Sequence, residues 1–180
     1  VALVFRRACG AAELYAAFPG GGPWRKAAAL RPRGADGTPA RAIASIDIFL
    51  NEPHRIALDA RFATAGGGEC TLRFILRSHR HYVETEARPG AAELRVEAPS
   101  RFVVVPDGLG DDLVANARRT RADTLRLPGE RMLLHLAAEG DLLVQCVWPS
   151  RDQCVRALLD GTGASRVLAA SEIGYRADQC

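Results

Sequence analysis

The chain has 180 residues, of which 48% are hydrophobic and 25% are charged, a balance that excludes disorder over most of its length. Lys and Arg together number 24 against 21 Asp and Glu, and this net charge of +3 is too small to indicate nucleic-acid binding. No apolar run reaches the roughly 20 residues of a membrane-spanning helix, so we expect no membrane partner.

Helix is expected only in short pieces. The alanine-rich segment 11–18 predicts two helical turns, which the glycines at 20–22 would end. Gly and Pro are frequent over 19–40, and this composition predicts a loop. One further helical turn is expected within 112–119, after Asp112.

Alternation of apolar and polar residues with a period of two dominates residues 41–98. The predicted inward-facing sets are Ala42, Ala44, Ile46, Ile48 and Leu50; Ile56, Leu58, Ala60 and Phe62; Leu72, Phe74 and Leu76; and Leu94, Val96 and Ala98. Charged residues such as Asp59 and Arg61 alternate with them. One polar face and one apolar face are typical of an antiparallel sheet that is wet on one side.

The second half of the chain predicts more strands, several of them apolar on both faces. These strands are expected near 101–105, 124–127, 132–137, 142–148, 154–159 and 166–175. Strands of this kind are central in a covered sheet, or pack on a neighbouring domain or subunit.

We therefore predict an all-β fold, an antiparallel β-sandwich of roughly ten strands with minor short helices. It is expected to be a single domain over 1–180, which could be a fragment of a larger protein.

Two groups of residues have the character of metal ligands. His79 and His81 are two apart, so in a strand both imidazoles would point to one face and could bind one ion. The alternative is a solvated turn with two exposed histidines. Asp107, Asp111 and Asp112 gather three carboxylates in a glycine-containing loop, which is the kind of site that Ca²⁺ prefers. A plain turn, with Asp112 capping a short helix, is the alternative there.

Aromatic residues near loops are the candidate ligand contacts. Trp24 lies in the predicted Gly- and Pro-rich loop, and its flat ring could stack on a sugar, as could that of Tyr82. Trp148 ends a predicted strand, where it could instead close the end of the core. Glu130 and Arg151 lie in predicted turns and would add polar contacts to a ligand.

The five cysteines include one pair that the spacing places opposite each other. A three-residue loop at 149–151 would set Cys146 against Cys154 across a hairpin. The pair predicts either a cross-hairpin disulfide, in an oxidising and extracytoplasmic compartment, or two buried thiols.

The absence of nucleotide-binding and common hydrolase motifs makes those activities unfavoured. Lys26 is the only lysine, which is typical of a GC-rich bacterial genome. The strand-rich pattern with Trp, Arg and acidic turns is similar, at the level of fold, to β-sandwich modules attached to bacterial polysaccharide-degrading enzymes.

We therefore expect a carbohydrate-associated module, either non-catalytic or part of a larger glycan-active enzyme. Whether the chain is itself an enzyme is open. One alternative is a stand-alone hydrolase or lyase with a site near His79, His81, Asp111 and Glu130. A second is a structural or assembly module that packs on another domain.

Overall fold

The computed structural model describes residues 1–17, 22–88 and 91–100, together with seven later strands. The described residues form fifteen strands and one short 3-10 helix at Arg7–Cys9. The strands are β1 Ala2–Arg6, β2 Ala11–Ala16, β3 Arg25–Gly34, β4 Ala40–Glu52, β5 Arg55–Thr64, β6 Glu69–Arg77, β7 Val83–Ala87, β8 Ala91–Ser100, β9 Phe102–Val105, β10 Leu113–Asn116, β11 Asp123–Arg126, β12 Met132–Leu136, β13 Leu143–Val147, β14 Cys154–Asp160 and β15 Ala169–Arg176. No helix in this described part is long and apolar enough to cross a membrane.

The described part of the chain is therefore all-β and antiparallel, as the sequence predicts. The predicted count of about ten strands is not confirmed. Two compact units divide the chain, Val1–Leu94 and Arg95–Cys180. The single domain expected over 1–180 stays a prediction.

The first unit contains two antiparallel sheets. One has the order β1-β2-β3, and the other has the order β4-β5-β6-β7. The rings of Phe5 in β1 and Phe74 in β6 meet edge to face, with centroids 5.6 Å apart. Phe62, Phe74, Leu72 and Cys70 are among the largest side chains that are fully buried. The inward face of β5 and β6 thus supplies the bulky part of the core, and small alanines of β2 and β3 supply the rest.

Two predictions for the N-terminal region were wrong. Segment 11–16 is strand β2 rather than helix, because β1 and β3 pair with it on both edges and compensate for the low strand propensity of alanine. Within the predicted loop 19–40, Arg25–Gly34 is strand β3. Residues 27–30 of β3 are all buried, so this strand lacks the alternating pattern that would have revealed it.

β-Bulges correct the predicted alternation in β4. The register with β5 shifts at three points and leaves Arg41, Ala44 and Phe49 as extra residues. Each extra residue moves the following side chains to the other face of the strand. Ile43 is buried in the core as a result, whereas Leu50 lies opposite Ala57 on the outer side. The predicted inward sets of β5 and β6 are confirmed at Leu58, Ala60, Phe62, Leu72 and Phe74, which are buried.

The second unit is described by its strand pairing. β15 pairs with β8 and β14, and β14 also pairs with β11. β12 lies between β9 and β13, and β10 pairs with β9. The six strands predicted after residue 100 are each found within a few residues of the expected bounds. β10 occupies the segment where one helical turn was predicted, so that prediction was wrong.

The predicted hairpin between Cys146 and Cys154 is also wrong. Cys146 in β13 lies opposite Leu133 of β12, and Cys154 in β14 lies opposite Arg176 of β15. β13 pairs with β12 in one sheet, whereas β14 pairs with β11 and β15 in another. The two strands therefore do not form a hairpin. The cross-hairpin disulfide therefore loses the geometry on which it was predicted.

Candidate functional site

The outer face of the β4–β7 sheet carries rows of polar residues aligned by the strand register. Asp47, Asp59, Arg73 and Glu86 are neighbours across four strands. The next row contains Ser45, Arg61 and Thr71, and the Arg88 amide donates to the Thr71 carbonyl. We call this surface the polar face, and its members are Asp47, Phe49, Asp59, Arg61, Arg73, Arg77, Tyr82, Glu84, Glu86 and Arg88.

An Arg–Asp pair stands at the centre of the polar face. Arg73 Nε and Nη2 donate to the two carboxylate oxygens of Asp59, both at 2.8 Å. These two hydrogen bonds hold the pKa of Asp59 below its usual value. Both side chains are about one quarter exposed, so the pair is fixed in position yet reachable from solvent.

Phe49 lies beside this pair. The guanidinium carbon of Arg73 is 4.2 Å from the centroid of the Phe49 ring, a cation–π contact. The ring is nevertheless 53% exposed. Alternation from Asp47 already turns Phe49 to the outer face, and the bulge at Phe49 moves Leu50 to that face as well. Phe49 was missed because it lies inside a strand, whereas the candidate contacts were sought near loops. A phenylalanine between two aliphatic residues of an alternating strand was the available signal.

Tyr82 is a second exposed aromatic residue of the polar face. It immediately precedes β7 and is 51% exposed. Alternation along the chain places it on the side of Glu84, which accepts a 2.7 Å hydrogen bond from Arg77 Nε. The pKa of Arg77 is raised chiefly by Glu84, with a smaller contribution from the Tyr82 hydroxyl. The sequence-predicted Tyr82 thus shares a sheet face with Phe49.

The other predicted site residues are not brought together with these in the described structure. His79 and His81 are exposed in the turn between β6 and β7, and His79 has a positive φ of 60°. Among the described residues, no group of three or more potential ligands could hold a metal ion. Trp24 is 56% exposed and immediately precedes β3, in the other sheet of the first unit. The predictions for Asp107, Asp111, Asp112, Glu130, Trp148 and Arg151 lie outside the described residues.

A separate charged cluster joins the three strands β1, β2 and β3. The Glu13 carboxylate accepts from Arg6 Nε at 2.8 Å, from the Tyr15 hydroxyl at 3.1 Å and from Lys26 Nζ. The Glu13 side chain is only 11% exposed, whereas the two cations are about half exposed. Donation by Arg6, followed by Lys26, lowers the pKa of Glu13 to about 2.

Replacing Glu13 with glutamine is expected to lower the free energy of unfolding by about 1–3 kcal/mol near neutral pH. Because folding lowers the Glu13 pKa, its stabilisation is present above the ordinary value of 4.5 and is lost as pH falls towards 2. Urea denaturation across this pH range should show the difference between wild type and E13Q shrinking in acid. E69Q, at an exposed acid that starts β6, is the matched control. A difference that does not depend on pH would contradict the assignment.

The opposite side of the β4–β5 hairpin is apolar. Ile46, Ile48 and Ile56 are 40%, 58% and 38% exposed. A groove of about 240 Å³ lies beside them, between Phe5 and Arg7 on one side and residues 43–46 of β4 on the other. Its lining combines apolar residues with Arg7 and Ser45, and among the described residues it includes no carboxylate, histidine or thiol.

The polar face combines donors, acceptors and an apolar ring on a rigid sheet. The guanidinium of Arg73 keeps N–H groups beyond the two bound to Asp59, and the carboxylate keeps free lone pairs. The surface can therefore donate and accept hydrogen bonds side by side while stacking an apolar group on Phe49. No protein-family model, curated protein or solved structure matches the chain.

Proposed function

We propose that this protein is a carbohydrate-associated β-sandwich module, and that its first unit binds glycans on the polar face without catalysis. The observation that supports this proposal is the exposed Phe49 ring held against the Arg73–Asp59 pair. Sugars present an apolar C–H face beside ring hydroxyls. A flat ring adjoining fixed donors and acceptors is complementary to both parts.

The sandwich itself is part of the proposal. Its support is the edge-to-face contact of Phe5 and Phe74 between two antiparallel sheets, with apolar residues buried on the facing sides. A sheet in such a sandwich is rigid. Side chains on its surface therefore lose little conformational entropy when a ligand binds. The module could stand alone or form part of a larger glycan-active enzyme.

Screening the full chain on a glycan array, followed by calorimetry with and without calcium, tests the proposal. F49A should weaken binding of an array-positive glycan by about tenfold or more, a loss of about 1.4 kcal/mol. W24A is the matched control, since Trp24 is equally exposed but precedes β3. If W24A abolishes binding and F49A does not, the site is at Trp24. An array with no bound glycan in either condition would refute the proposal.

A second candidate is a structural or assembly module, which the exposed Ile46, Ile48 and Ile56 favour. Apolar side chains grouped on one side of a hairpin are typical of surfaces that pack on a partner. Sedimentation velocity on the same samples would show self-association of an assembly module. The array would show that such a module binds no glycan, so the two measurements together distinguish the candidates.

A further inference from the structure

We infer that the polar face binds a neutral oligosaccharide of two or more sugar residues, which lies across the strands between Phe49 and Tyr82. This inference rests on the proposed function and adds the class of ligand. Two observations carry it: the pairing of charges on the polar face, and the position of its two exposed aromatic rings.

Charge pairing favours a neutral ligand. Arg73 is bonded to Asp59, Arg61 Nη2 donates to Asp47 Oδ2 at 3.0 Å, and Arg77 is bonded to Glu84 at 2.7 Å. The carboxylate of an acidic sugar would have to displace one of these acids and would face the others at short range. Neutral hydroxyls can instead accept from the guanidinium groups and donate to the carboxylates, so every pair stays intact.

The overall charge of the polar face agrees with this. The register places six acids on this side of the sheet, Glu52, Asp47, Asp59, Glu69, Glu84 and Glu86, and five bases, Arg55, Arg61, Arg73, Arg77 and Arg88. The acids outnumber the bases by one, so the surface has no net attraction for a polyanion at long range.

The positions of the rings set a minimum ligand length. Phe49 belongs to β4 and Tyr82 immediately precedes β7, which is the third strand from β4 in the sheet. At about 4.8 Å between neighbouring strands, the two backbones are about 14 Å apart. A single sugar contacts one ring at most. A ligand that contacts both must have at least two residues, and in the register it passes over Ala57 and Ile75, one row from the Asp59–Arg73 pair.

The test pairs neutral and acidic versions of one glycan backbone. Oligogalacturonates and their methyl esters, and xylo-oligosaccharides with and without glucuronate, are titrated as mono-, di- and tetrasaccharides. We expect the neutral member of each bound pair to bind about tenfold more tightly than the acidic member. The neutral tetrasaccharide should bind about tenfold more tightly than its monosaccharide. D47N, which frees Arg61 from its carboxylate, should reduce the preference for neutral ligands.

F49A and Y82A should each remove the gain in affinity with ligand length, so that the tetrasaccharide binds about as weakly as the monosaccharide. Equal or tighter binding of acidic ligands would overturn the inference while leaving glycan binding in place. So would an affinity that is independent of length, or a gain with length that persists in both variants. Failure of the proposed function is distinguishable, because then no ligand binds at all.

Discussion

Replacing Phe74 with alanine is expected to lower the free energy of unfolding by about 3–5 kcal/mol. The Phe74 side chain is fully buried and meets the Phe5 ring of the facing sheet at 5.6 Å. Truncation removes buried apolar surface and leaves a cavity that close-packed neighbours fill only in part. Because domains of this size are stable by about 5–15 kcal/mol, the variant should lose a large share of its stability.

Urea denaturation followed by far-UV circular dichroism measures this loss. F49A is the matched control, since it removes the same side chain from an exposed position on β4. Its cost should be about 1 kcal/mol or less. F74L, which keeps most of the volume, should recover much of the stability that F74A loses. Equal costs for F74A and F49A would show that the two sheets do not share a packed core at Phe74.

The second large effect is expected at Gly10, which follows the 3-10 helix and has a φ of 57°. A Cβ at this position would lie 2.7 Å from the backbone carbonyl carbons of Ala40 and Arg41. Backbone atoms cannot rotate away as a flexible side chain can. Gly10→Ala should therefore add an overpacking cost to the cost of a left-handed conformation, together about 2–5 kcal/mol.

Gly37→Ala separates these two contributions. Gly37 also has a positive φ, of 75°, but no heavy atom lies within 4 Å of its added Cβ. Its substitution should cost only the conformational part, about 1 kcal/mol. Thermal denaturation of both variants gives the comparison. A Gly10→Ala protein no less stable than Gly37→Ala would mean that the start of β4 can shift away from β2 at little cost.

The strands in the alternating segments were predictable, because apolar residues mark the buried face of such a strand and charged residues mark its exposed face. Leu58, Ala60 and Phe62 are buried in β5, and Asp59 between them reaches its partner Arg73 on the neighbouring strand. β3 was not predictable in the same way. Its consecutive buried residues at 27–30 include three alanines, and they follow Gly and Pro that are typical of loops.

The candidate site was predictable only in part, for a reason of register. Tyr82 could be proposed from its residue type and its place beside a strand. The outward face of Phe49 follows from alternation with Asp47, but its contact with Arg73 depends on how β4, β5 and β6 align, which alternation does not reveal. The row formed by Asp59, Arg73 and Glu86 depends in the same way on long-range pairing.

The three bulges of β4 also bear on aggregation. In the described sheet β4 is an edge strand of thirteen residues, a length that would ordinarily invite a second chain to extend the sheet. Its regular pleat is broken at Arg41, Ala44 and Phe49, so the central stretch open to such pairing is only residues 45–48. A strand from another molecule could not form a long continuous ladder there. The same bulges that bury Ile43 and turn Leu50 outward thus also protect an exposed, isoleucine-rich edge against fibril-like growth.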